Sequence, residues 1–140
     1  MGIRVKIRIL TGGKSAITSA LVNSGFESEE PDLCVPLGLA KLLGLWPPEE
    51  LYSEEAATAG GEVTVYVVPV RAEVQLLAGD EVKCRTQCNL VLNPHVDEVL
   101  LSDYLIDELG IVAISYRRGL WRDKYDSLDT VRESEEPQYW

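Results

Sequence analysis

One histidine and three cysteines bound the chemistry open to this 140-residue chain. Ser-His-Asp or Cys-His catalysis would have to run through His95, and His95 follows Asn93-Pro94 in a turn-like segment that predicts a surface residue. Cys84 and Cys88 have the spacing of one strand face, which puts their Cα atoms roughly 13 Å apart, too far for a disulfide without a bend. With Cys34 the count is odd, and these thiols are expected to serve as small apolar residues. A zinc site needs four ligands at supporting spacing, so no metal is expected. Gly13-Lys14-Ser15 has the ending of a phosphate-binding loop, but Arg8 stands where that motif needs its first glycine. Paired glycines between two short apolar runs read better as a hairpin turn.

The segment Ala20-Leu21-Val22-Asn23-Ser24-Gly25-Phe26 runs from an apolar strand into a turn that carries a carboxamide and a hydroxyl. A carboxamide donates and accepts hydrogen bonds but takes up no proton near neutral pH. Asn also serves turns well, which is the plainest account of Asn23. Glu27, Glu29, Glu30 and Asp32 follow at once and read as a solvated loop. Glu27 is the nearest of them that could stand in as a proton acceptor.

The elements holding these residues are mostly strands. Ile3, Val5, Ile7 and Ile9 alternate with Arg4, Lys6 and Arg8, which marks a half-buried strand, and Ala16–Val22 is its return strand. Asp32–Val35 is extended up to Pro36, after which leucines to Leu45 give a short amphipathic helix. Gly44 and Trp46-Pro47-Pro48 are its stop signals. Glu62–Leu77 reads as a long strand whose apolar parity slips at 67–68, implying a bulge beside Pro69. A further strand runs through Val82–Leu92, and Val99–Leu101 is a brief one. Asp103–Leu109 is a short helix ended by Gly110, and Ile111–Tyr116 and Leu120–Trp121 close the pattern. Residues 1–122 form one mostly β domain, and the polar, acidic segment 123–140 is expected to pack weakly or on a partner.

Thirteen basic against 23 acidic residues give a net charge of −10, which argues against nucleic acid as a partner. Apolar runs are short and interrupted, so no membrane span is expected. The alternating N-terminus lacks a signal-peptide pattern, and the expected location is cytoplasmic.

Taken in order, these segments resemble the retropepsin-like aspartic proteases over residues 3–122. Their active-site turn reads hydrophobic-hydrophobic-Asp-Thr/Ser-Gly, and Leu21-Val22-Asn23-Ser24-Gly25 is similar to it. Leu33-Cys34-Val35-Pro36 through Leu43-Gly44-Leu45 resembles the extended segment and leucine-rich helix that follow. Thr58-Ala59-Gly60-Gly61 and the strand after it are placed like the glycine-containing flap. Leu100-Leu101-Ser102 through Leu109-Gly110 is similar to the closing aliphatic pair and helix, with Ser102 where the family has glycine.

The resemblance implies an acid-protease barrel with a flap hairpin, a homodimer, no cofactor, and an extended peptide or protein segment bound in a shared cleft. Asn23, Ser24 and Gly25 would form the catalytic turn, and Ala59, Gly60 and Gly61 would cover the substrate. In the family two Asp residues share a proton and activate water, while the neighbouring hydroxyl bonds across the dimer. Asn23 replaces that Asp on both sides of a symmetric dimer. The expected function is therefore an aspartic-peptidase homologue that binds peptide and is catalytically impaired. An active endopeptidase, through a heterodimer, deamidation of Asn23 or a substitute acid, is one alternative. A structural or assembly domain with a vestigial cleft is the other.

Overall fold

The computed structural model describes residues 2–47 and 52–140, with ten strands and two short helices among them. Pro48, read above as part of the helix stop, lies outside the described residues.

β1 (Arg4–Thr11) and β2 (Lys14–Val22) make the expected hairpin, paired from Arg4↔Leu21 to Thr11↔Lys14. Along β1 the alternation is complete: Val5, Ile7 and Ile9 are fully buried, while Arg4, Lys6 and Arg8 are half-buried on the other face. β3 (Asp32–Val35) leads into α1 (Leu37–Leu42). β4 (Tyr52–Thr58) pairs with the first part of β5 (Gly61–Ala78), and β5 continues against β6 (Glu81–Leu92). β7 (Val99–Leu101), α2 (Asp103–Glu108), β8 (Ile111–Ser115), β9 (Leu120–Asp123) and β10 (Arg132–Glu133) complete the order.

Strands β1-β2-β7-β3-β6-β5 are neighbours in that order, and β5 pairs back onto β1 through Glu73–Leu77, closing a six-stranded barrel. Closure leaves no free edge in the wall. Its interior is one core that runs from Ile3 and Leu33 to Leu101, Leu105 and Trp121. β4 lies outside the closed ring and pairs only with β5, as the outer arm of a hairpin. A register shift separates Val67 from Arg71, at the expected slip beside Pro69. Val70, within the shifted stretch, faces outward and is 45 % exposed.

Residues 123–140 differ from expectation. Rather than packing weakly, they are held against the domain. β10 pairs with β9, and the Ser134 N–H donates to the Gly119 carbonyl at 2.7 Å. The Glu135 N–H donates to the Arg4 carbonyl at 2.8 Å, and the Arg4 N–H donates to Ser134 Oγ at 2.8 Å. Trp140 closes the strap. Its N–H donates to Asp97 O at 2.8 Å and its indole Nε1 donates to the buried Thr18 Oγ1 at 3.0 Å. A Cβ on Gly38 would stand 2.9 Å from the Trp140 carbonyl carbon, so α1 carries glycine where the strap crosses it. Beneath the strap, the Arg4 guanidinium grips the Glu98 carboxylate in a two-pronged ion pair.

Candidate functional site

Asn23 stands where β2 runs out, directly after the buried Val22. Its Oδ1 accepts the Gly25 N–H at 3.2 Å, and its carbonyl accepts the Phe26 N–H at 3.0 Å. The carboxamide therefore builds its own turn, by the local bonding that makes Asn a turn residue. Gly25 contributes by having no side chain. Its φ is not positive, but a Cβ there would come within 3.3 Å of Asn23 Oδ1. Ser24 and Gly25 are exposed, and Asn23 is half-buried.

Three elements converge on this turn. Val22 on β2 and Leu33 on β3 both pair with Leu101 on β7. One residue further along, Asn23 and Asp32 therefore flank Ser102, two strand spacings or roughly 10 Å from each other. Ser102 is fully buried. Its N–H donates to the Asp32 carbonyl at 3.1 Å, and its Oγ accepts from the Asp32 N–H at 3.1 Å and the Leu105 N–H at 3.2 Å. It is the N-cap of α2 and the lock between α2 and β3. Asp103 adds a second anchor: its N–H donates to the Phe26 carbonyl at 2.8 Å, and its Oδ1 accepts the Ser28 N–H at 3.0 Å. Sequence reasoning missed both residues as site supports. The Ser-Asp pair opening a helix was the available signal.

The acids after the turn do not share one environment. Glu27, Glu29 and Glu30 are exposed, as expected of a solvated loop. Asp32 is half-buried, and burial pushes its carboxyl above the ordinary range. The Asn89 Nδ2, donating to Oδ1 at 3.1 Å, opposes that rise, while the charges of Glu30 and Glu54 reinforce it. Glu54 belongs to β4, so that strand lies within electrostatic reach of Asp32.

At the β4–β5 turn, Thr58 Oγ1 donates to the Gly61 carbonyl at 2.6 Å and accepts the Gly60 N–H at 3.2 Å. Gly61 has φ 113°, which only glycine holds without strain. Ala59, Gly60 and Gly61 are exposed, and among the described residues no hydrogen bond joins them to Asn23, Ser24 or Gly25.

The residues set aside on sequence grounds lie elsewhere. Cys34 and Cys88 are buried, and burial pushes both thiols up to about 12, so neither is a nucleophile near neutral pH. Cys84 is half-buried. His95 is exposed, its N–H donating to Asn93 Oδ1 at 2.9 Å. Among the described residues no three His, Cys, Asp or Glu side chains converge as a metal site, and no helix is long and apolar enough to cross a membrane. No family model matches the chain, and no curated protein matches it.

Proposed function

We propose that this chain is a retropepsin-fold homologue of the aspartic peptidases, one that holds an extended peptide in a cleft shared by two copies and hydrolyses it poorly. The observation that carries this reading is the placement of the Asn23-Ser24-Gly25 turn. It closes β2 beside the start of α2, its Ser24 and Gly25 are exposed, and it belongs to a barrel whose β4–β5 hairpin extends beyond the closed wall. Asn23 holds the position where the resembled family has its acid, and its Oδ1 is engaged by Gly25. A pair of such turns offers no carboxylate to take a proton from water. General-base activation of water is worth roughly 10²–10⁴-fold in rate. The free edge of β4 supplies main-chain groups on which an extended segment can pair without being cut.

The test is a peptidase assay on the purified protein beside Asn23→Asp. Cleavage by the variant alone, roughly 10²-fold or more above the unmodified chain, supports the reading. Equal cleavage by both overturns it.

A second reading, a working endopeptidase with a substitute acid, is favoured by one observation: Asp32 is half-buried and has a raised pKa, unlike the acids before it. Activity of the unmodified chain that vanishes in Asp32→Asn would select that reading.

A further inference from the structure

We propose that the groove beside the β1–β2 turn binds a phosphate monoester. This site is separate from the peptide cleft and does not depend on that reading. Two adjoining hollows of about 490 and 470 Å³ share Thr11, Gly12, Lys14 and Arg71. Each is within the size range of small-ligand pockets. Neither is lined by Asn23, Ser24 or Gly25.

The lining has the chemistry of an oxyanion site. Gly12 and Gly13 hold φ of 56° and 78°, and beyond the adjoining residues no atom lies within 4 Å of where a Cβ on either would stand. The turn backbone is therefore bare to an approaching ligand. Lys14 reaches across to the loop after α1, its Nζ 3.3 Å from the Cβ position of Gly44, which puts an ammonium at the seam of the two hollows. Arg71 enters from β5 just past the register shift. Among the described residues neither cation forms an ion pair.

One acid, Glu73, also lines the groove, and it is already engaged. Its Oε2 accepts from Gln75 Nε2 at 2.7 Å, while Gln75 Oε1 accepts from Arg8 at 2.9 Å. A guanidinium fork and an ammonium from separate walls suit a tetrahedral, multiply charged oxyanion better than a single carboxylate. Leu43, Leu45 and Val70 wall the second hollow and give the organic body of an ester an apolar seat. The site is unlike a strand–loop–helix phosphate loop, because Gly12–Ser15 turn directly into β2.

The test is an amide NMR titration of the full chain with inorganic phosphate and with phenyl phosphate, at constant ionic strength set by chloride. Saturable shifts at Gly12, Gly13, Lys14 and Arg71 are expected, with phenyl phosphate binding several-fold more tightly. Arg71→Ala should weaken binding by about tenfold or more, the loss of a charge-assisted contact. Arg71→Lys should recover part of that loss, and Arg117→Ala on the β8–β9 turn should bind as the unmodified chain does. Absence of saturable shifts, equal affinity for acetate, equal affinity for the two phosphates, or unchanged binding in Arg71→Ala would each overturn the proposal. The Arg71 variants keep the test sound if Lys14→Ala disturbs the Gly44 loop.

Discussion

Ser102 ties two elements of the site together with one side chain. One buried hydroxyl caps α2 through Leu105 and satisfies the Asp32 N–H, so it fixes the start of β3 against the helix that flanks the Asn23 turn. Replacing it by alanine leaves both donors without that partner. Ser102→Ala should lower stability by about 1–2 kcal/mol, the cost of a lost N-cap, read as a shifted urea midpoint with unchanged slope. Asn23 was legible as a turn residue from its neighbours alone, because the bonds that make the turn are to Gly25 and Phe26. The roles of Ser102 and Asp32 were not. Their partners are 70 positions apart in the chain, and only the pairing of β3 with β7 brings them side by side.

Among the elements, those with a buried face were legible and those built by pairing were not. β1 announced itself by strict alternation, and the slip near Pro69 marked the bend of β5. β4 was invisible in Tyr52-Ser53-Glu54-Glu55-Ala56-Ala57-Thr58, which has little β preference. It is a strand because β5 pairs with it along its whole length. The strap was invisible for a related reason: its order comes from bonds to Arg4, Thr18 and Asp97, far away in sequence. Trp140→Ala should cost about 2 kcal/mol, roughly half the penalty of truncating a fully buried tryptophan. Gly38→Ala should displace the same indole, visible as a changed Trp fluorescence spectrum in the otherwise folded protein. A melting temperature unchanged in both variants would show that the strap contributes nothing to stability.

For the molecule as a whole, the charge balance sets how stability responds to acid. Arg132 grips both oxygens of Asp126, at 2.8 and 2.9 Å, and Lys83 lies 3.3 Å away. The Arg132 bonds hold the Asp126 carboxyl far below the ordinary carboxylate value of 3.8. A lowered folded-state pKa means the unfolded chain binds the proton more readily. The contribution is therefore complete above about pH 5 and fades as pH falls through the range below it. Asp32 acts in the opposite sense, because its raised pKa costs stability once it ionises, and acid relieves that cost. The Asp126 shift is the larger, so the protein should lose stability on acidification. Asp126→Asn should be about 2 kcal/mol less stable at pH 7, as expected for hydrogen bonds to a charged group. The gap should narrow toward pH 3, measured by urea unfolding across that range. A gap constant with pH would rule out this ion pair as its source.

Because β5 closes onto β1 with Glu73–Leu77 and carries β4 on Gly61–Val67, the two duties of that strand fall on different stretches of chain, and of the second stretch Tyr66 and Val67 also join the wall through β6. The seam with β1 is made without the arm above it. Descendants of this gene can lengthen, shorten or recolour the arm toward its tip without reinventing the vessel beneath.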